Sequence, residues 1–385
     1  MANTLTGLIP DLFAGMDVVS RELVGFIPSA FRNSSAERAA IDEAVSYPIT
    51  PSLASANIVP AMAIPEPTDR TIGVDNIKIT KAKMVEFGFV GEEQKGLNNG
   101  PGFLTIQADL FAQGLRTLVN EMEIDLATEA MMNASRAFGT AGTTPFGSNV
   151  GESAQLKKIL DDNGAPLSER ALIIDTSAGA SLRTLSNLTR VNEAGTAMTL
   201  RDGELLNLNG FSLKESAGIR TFTKGTNNGS AATNTAGYAI GATVITLGSA
   251  GTGTILAGDY ITFAGDTNKY LVVSGDADVS NGGSITIAAP GLRVAIPTSA
   301  TVITTVGNSV RNIGFTRSAL HLVTRAPALV NGEDAASESM MLTDPRSGLT
   351  FEIRVYKGYR KTRYEVAAAW GVKATKRAHI AALLG

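Results

Sequence analysis

The chain has no cysteine. Disulfides, thiol catalysis and cysteine-ligated zinc are therefore excluded. Histidine is almost missing too. His321 and His379 are the only two, and neither has a carboxylate or serine motif beside it. That leaves no triad and no histidine-based metal pattern, so both are expected to be structural or surface residues. No apolar run approaches the ~18 residues of a membrane helix. No basic segment followed by an apolar stretch opens the chain, so no signal peptide is expected. The four N-x-[ST] sequons, at Asn33, Asn133, Asn187 and Asn228, are read as chance matches. A net charge of −3 over 385 residues gives no global attraction to nucleic acid. No Walker loop and no Gly-x-Ser-x-Gly elbow occur, and Gly251-Thr-Gly253 stops short of the dinucleotide fingerprint. Asp276-Ala-Asp278-Val-Ser280 begins like a calcium loop. Asn281 and Ile287 stand where that loop requires Gly and Glu, so a turn rich in Asp and Asn is expected.

What is present is a break in composition. From Thr226 to Gly307 the chain turns to Gly, Thr, Ala and short Val/Ile runs, with six charges in 82 residues. Turn signals recur at Gly251-Thr-Gly253, Gly265-Asp266, Gly275-Asp276 and Asn281-Gly282-Gly283. Strands are expected at Ala242–Thr246, Asp259–Phe263, Tyr270–Val273, Ser284–Ala288 and Ala300–Val306. This spacing fits a small barrel or sandwich inserted into a host loop. Its regular turns lead us to expect that it folds autonomously.

The flanks mix helix and strand patterns. Pro10, Pro28, Pro48 and Pro51 divide the first fifty residues, where short helices are expected over Asp17–Phe26 and from Ser34 to about Val45. Residues 54–69 read as extended. Thr71–Lys81 and Lys83–Val90 read as a β-ribbon turning at Lys81-Ala-Lys83, with Val85, Phe87 and Phe89 on one face. A lone hairpin is marginal in water, so this one should lie on something else. Residues 103–138 carry one glycine and no proline. Phe111, Leu115, Leu118, Met122 and Leu126 recur at helical steps, and Glu121, Glu123, Asp125 and Glu129 are placed on the opposite side. Such a helix would span roughly 54 Å.

Residues 152–222 read as α/β: helix Ala154–Asp161, buried strand Arg170–Asp175, helix Ala178–Asn187, and a strand over Glu204–Leu213 turning at Asn209-Gly210. Ala319–Thr324 is expected to complete that unit, and Asp334–Met341 to be helical. Leu349–Tyr356 and Arg363–Lys373 read as closing strands, with Tyr364, Val366, Ala368, Trp370 and Val372 on one face. From Thr350 onward eight cations (Arg354, Lys357, Arg360, Lys361, Arg363, Lys373, Lys376, Arg377) face Glu352 and Glu365. A solvated strand face or ion pairs with acidic neighbours are favoured over a DNA-binding stripe.

This order of parts resembles the major capsid proteins of tailed phages, the Hong Kong 97 fold. The opening Leu8-Ile-Pro-Asp-Leu-Phe with Val19-Ser-Arg-Glu-Leu-Val-Gly-Phe-Ile-Pro28 looks like the start of the coat proteins related to that of the short-tailed temperate Salmonella phage. The resemblance implies an α+β fold with an arm (1–53), an extended loop or β-ribbon (54–102) and a peripheral domain with its spine helix (103–151). An axial domain (152–223 and 309–345), an inserted all-β barrel-like domain (224–308) and closing peripheral strands (346–385) would follow. It implies a structural shell subunit and not an enzyme, with no cofactor or metal. Expected partners are copies of itself in hexamers and pentamers, a scaffolding protein, a portal protein and double-stranded DNA on the inner face, with no membrane. The setting would be the virion, assembled in the host bacterial cytoplasm. Val85, Phe87, Phe89, Arg354, Arg360, Lys361 and Arg363 are the expected subunit-interface residues. The rival readings are an encapsulin-like nanocompartment shell and a β-rich tail or adhesin protein.

Overall fold

A computed structural model describes residues 24–49, 72–97, 103–189, 207–227, 230–330, 334–343 and 348–385, with a few single positions between 55 and 62. The expected helix over residues 17–23, the Leu8–Phe13 stretch and most of residues 54–69 lie outside these. The order begins with α1 (Phe26–Ser29), β1 (Phe31–Ala39), β2 (Ala44–Ile49), β3 (Gly73–Lys78), β4 (Lys81–Val90), α2 (Gly91–Leu97) and α3 (Phe103–Met132). There follow β5 (Arg136–Gly139), α4 (Gly151–Asp162), β6 (Arg170–Ile174), α5 (Thr176–Thr184), α6 (Ser186–Thr189), β7 (Ser212–Glu215) and β8 (Thr221–Phe222). The inserted segment carries β9 (Val244–Leu247), β10 (Tyr260–Phe263), β11 (Lys269–Ser274), β12 (Gly283–Ile287) and β13 (Ile303–Thr305). The last six strands are β14 (Ser309–Thr316), β15 (Leu320–Pro327), β16 (Glu338–Thr343), β17 (Thr350–Gly358), β18 (Lys361–Ala374) and β19 (Ile380–Leu384).

The fold is α+β, built on two sheets that share one helix. A six-stranded sheet runs β1-β15-β18-β17-β16, with β4 on the free edge of β18. A larger sheet runs β13-β10-β11-β5-β19-β14-β6-β7. Helix α3 lies against both. Its Phe111, Leu115, Leu118, Met122 and Leu126 are buried, as their spacing predicts, beside Val366, Ala368 and Trp370 of β18 and Ile313 and Phe315 of β14. On the other face of the larger sheet, Leu156 and Leu160 of α4 and Leu182 of α5 pack on Leu172 and Ile174 of β6. Among the described residues no helix is long and apolar enough to cross a membrane.

The five expected strands of the insert all form. The segment 231–233 closes them into a barrel, bridging Leu247 on one side and Val302 on the other. Its interior is a separate core containing Ile245, Ile261, Phe263, Val272, Ile285 and Ile303. The barrel is nevertheless joined to the host sheet. Lys269 and Tyr270 of β11 pair with Ala137 and Arg136 of β5.

Several expectations are corrected. The helix from Ser34 to Val45 is instead β1 and β2. Phe31–Ser34 pair in parallel with His321–Thr324, and the Ser35 hydroxyl accepts from the Glu37 N–H at a bulge (3.1 Å), so the serine does not cap a helix. Strands β3 and β4 do not form a hairpin. β3 pairs with β2, and β4 runs on along β18 from Lys81–Trp370 to Val90–Lys361. The α/β sheet is completed by β14, while Leu320–Thr324 of the expected strand falls in β15 of the other sheet. Asp334–Met341 is not helical. Met340 and Leu342 alternate inward along β16, paired with Ile353 and Phe351 of β17. Helix α3 ends at Met132 after 30 residues, about 45 Å. The Asn133 amide donates back to the Glu129 carbonyl (2.8 Å), and the chain leaves to pair as β5 with β19. β19 itself is a buried strand of the larger sheet, between β5 and β14.

Candidate interface elements

Four places on this framework hold an arm, a ribbon, a charged sheet face or an exposed turn. The arm is held by one carboxylate. Glu123, 2% exposed on α3, accepts from the backbone N–H groups of Gly25 (2.7 Å), Phe26 (2.8 Å) and Ile27 (3.0 Å) and from the Ser216 hydroxyl (2.6 Å). The first N–H groups of a helix lack intrahelical partners, and an anion there also meets a favourable dipole. Glu123 supplies both for α1. The sequence placed Glu123 on a solvated face, but the donors that bury it lie far away in the chain. Asp125 and Glu129 are also engaged. Asp125 accepts from Lys81 (2.7 Å) and from the Trp370 indole (2.8 Å), and Glu129 from the Ala374 N–H (2.9 Å).

The ribbon formed by β2 and β3 lies across the outer face of the six-stranded sheet. Val45 and Tyr47 pack beside Ile77, Ile79, Val323 and Ala369. The approach is close. A Cβ at Gly371 of β18 would collide with the Lys78 carbonyl oxygen, so glycine leaves room there for the crossing backbone. Lys373 donates to Asp75 (2.6 Å) and to the Asn76 carbonyl (2.9 Å), and the Tyr47 hydroxyl donates to the other Asp75 oxygen (2.6 Å). Hydrogen bonds from Lys373, Tyr47 and the Asn76 N–H bring the Asp75 carboxyl down to about 2. His321 lies between the rings of Phe31 (4.8 Å) and Tyr47 (5.7 Å). Burial, with Lys376 nearby, pushes its imidazole below the usual range.

The basic closing strands resolve mostly into ion pairs inside the subunit. Arg354 is buried. It pairs with Asp334 and with Glu352 (3.0 Å), and Arg38 holds Glu352 through both carboxylate oxygens (2.7 and 3.0 Å). The charge of Arg354 is thus met within the chain. Arg363 pairs with Glu86 across to β4 and sits 3.8 Å from Glu365. Lys357 pairs with Glu338 (3.3 Å) and Lys373 with Asp75 (2.6 Å). Arg360 and Lys361 are different. They are exposed at the turn between β17 and β18, and among the described residues no ion pair reaches them. Beside them Tyr359 is 89% exposed. A cleft of about 510 Å³ separates this turn from α2, with Phe89, Val90, Glu92, Arg360 and Lys361 in its walls. Val85 and Phe87 face inward, and Phe87 meets Phe111 of α3 edge-on at 4.8 Å. The apolar stripe that seemed to need an outside surface is thus covered in part by the chain's own helix.

The Asp276–Ser280 stretch is a turn, as its residues suggest. Asp278 accepts from the Ser280 N–H (3.1 Å), the Ser280 hydroxyl (2.6 Å) and Asn281 (2.8 Å). Among the described residues no group of three or more His, Asp or Glu could hold a metal.

No protein-family model matches the sequence, and none of the curated proteins compared matches it significantly. Solved structures do match. A chain of Mycobacterium phage Che8 is 13% identical, with 94% of this chain and 90% of that one covered at a TM-score of 0.47. The capsid structure of the Cyanophage P-SCSP1u is 10% identical, with 92% and 86% covered at 0.48. A virus-like particle from Pyrococcus furiosus is 10% identical, with 97% and 96% covered at 0.40.

Proposed function

We propose that this chain is the major capsid protein of a tailed phage, a subunit of the Hong Kong 97 type that self-assembles into an icosahedral shell around double-stranded DNA. The observation that carries this reading is the arrangement around α3. One helix of about 45 Å joins two sheets, its Glu123 holds the Gly25–Ile27 backbone, and the β2–β3 ribbon crosses the sheet face beside it. A ribbon laid on the outer face of a rigid framework suits contacts with neighbouring copies. The exposed turn Tyr359–Lys361 is a further contact, while Phe89 lines the adjoining cleft. In this reading the copies form hexamers and pentamers, a scaffolding protein guides them, a portal protein occupies one vertex, and the setting is the virion assembled in a bacterial cytoplasm. The closed barrel inserted between β8 and β14 favours a phage shell over an encapsulin-like compartment. The central helix and two-sheet host argue against a β-rich adhesin. The test is negative-stain microscopy of the purified protein, alone and with a candidate scaffolding protein. Closed shells are expected. A protein that stays monomeric at high concentration under both conditions is not a shell subunit.

A further inference from the structure

The cleft between the β17–β18 turn and α2 has an apolar lining and a cationic wall. It measures about 510 Å³, and a second hollow of about 290 Å³ continues it along β4. Phe89 and Val90 line both, and Val90 is 43% exposed. Arg360 and Lys361 stand on one side of the larger cleft, with no ion pair among the described residues. Lys357 also lines it but is engaged by Glu338 (3.3 Å), and Glu92 on α2 is the one acid among its lining residues. Arg360 has a φ of 55°. That is the left-handed region, where a Cβ is disfavoured and Gly or Asn is the usual choice. Backbone strain of this kind collects where a side chain is put to use. A cation held at a strained turn, beside exposed apolar surface, points to an occupant that is acidic and apolar.

One part of the chain outside the described residues has that character. Residues 1–20 contain two acids, Asp11 and Asp17, and neither Lys nor Arg. Leu8, Ile9, Leu12 and Phe13 flank Asp11. The connection is long enough. Glu123 of α3 holds Gly25 (2.7 Å), and Phe87 of β4 meets α3 at Phe111 (4.8 Å). From Glu123 to Phe111 the helix covers about 18 Å, and from Phe87 to Val90 the strand adds about 10 Å. The chain between Asp11 and Gly25 can span up to about 46 Å when extended. A tethered segment that bridges its gap acts at an effective concentration of order millimolar, so in dilute solution it outcompetes a second copy. We propose that residues 8–13 dock in the cleft of their own chain, with Leu12 and Phe13 against Phe89 and Val90 and with Asp11 facing Arg360 and Lys361. The inference stands apart from the capsid reading.

Because the chain has no cysteine, an introduced pair reports on its own proximity alone. Leu12→Cys is combined with Gln94→Cys, on the α2 side of the cleft, and the dilute full-length chain is mildly oxidised. A disulfide within one chain is expected, seen as a faster band on a non-reducing gel. Leu12→Cys with Ser249→Cys, exposed on the barrel, should stay unlinked. Arg360→Gly suits the positive φ, so the turn survives it, yet the rate of crosslinking should fall about two- to fivefold, the range of one exposed ion pair. Asp11→Lys should do the same, and joining it to Arg360→Glu should recover part of the loss. No link, or a link that forms only between chains and rises with concentration, overturns the proposal. So does a rate that Arg360→Gly and Asp11→Lys both leave unchanged. Shell formation, read separately by microscopy, bears on none of these outcomes.

Discussion

Glu123 is one side chain on which the position of a whole segment depends. Its carboxylate takes three consecutive backbone donors and a hydroxyl, all buried. Removing it leaves those donors unmet, so Glu123→Ala should cost about 3 kcal/mol or more in urea unfolding. Glu123→Gln, which keeps an acceptor but loses the charge, should cost less. Amide exchange at Gly25–Ile27 should quicken in both. None of this was legible in the sequence, where Glu123 reads as one more acid on a helix. His321 was read correctly as structural, yet its surroundings make it sensitive to acid. Burial holds its folded pKa below the unfolded value of about 6.5. The unfolded chain therefore binds the proton more readily, and stability present above that value is lost as pH falls through it. His379 is shifted in the same direction by its burial. The urea midpoint should drop between pH 7 and pH 5. His321→Phe, which keeps a ring between Phe31 and Tyr47, should flatten part of that drop; an unchanged profile would remove His321 as the cause.

At the level of elements, local pattern and distant pairing separate cleanly. The barrel strands were legible because turns rich in Gly and Asp bound short alternating runs, and because the strands pair largely with one another. The turn at Asn209-Gly210 was legible for the same reason. Both residues have positive φ, 50° and 83°, and Leu208 and Phe211 exchange both backbone hydrogen bonds across it. The ribbon was mispaired because alternation along Lys81–Val90 says which face is apolar and nothing about the neighbour. Its actual partner, β18, lies at the other end of the chain. Two outcomes follow from the pairing observed. Gly371→Val puts a branched side chain where the Lys78 carbonyl lies, so the ribbon stem should lift from the sheet. Exchange and proteolysis should then rise in residues 44–49 and 73–78 while the barrel stays protected. The second concerns the barrel. Its ends meet where Phe222 pairs with Ser309, so residues 224–308 can be replaced by a short turn. The host should still fold, but β5 loses its partner β11 and exposes a bare edge. Sedimentation should show self-association of this variant that the full chain lacks under the same conditions. The excised barrel carries its own core and should give a dispersed amide spectrum; a collapsed spectrum would mean that the host sheet is needed to form it.

At the scale of the molecule, the long helix and the inserted barrel were legible because one has its own period and the other its own composition. The assignment of strands to the two sheets was not, since it depends on contacts between the ends of the chain. In the proposed shell, the exposed turn at Tyr359–Lys361 is the contact with neighbouring copies. Exposed ion pairs are worth only about 0–1 kcal/mol each, but a shell repeats them at every contact. Arg360→Glu with Lys361→Glu should leave the circular dichroism spectrum and urea midpoint nearly unchanged and abolish or weaken shell formation seen by microscopy. Wild-type shells from this variant would exclude the turn as a contact. The pairing of residues 31–39 with 321–327, and of 81–90 with 361–370, also has a kinetic side. The six-stranded sheet cannot close until these distant segments of the chain have found each other, and such non-local pairings form slowly. Newly made chains should thus pass through a long-lived stage in which the β15 and β18 edges are bare and prone to stick to other chains. The search of β4 for β18 then limits how fast subunits become available, and a holding chaperone in the cell has its clearest target in that interval.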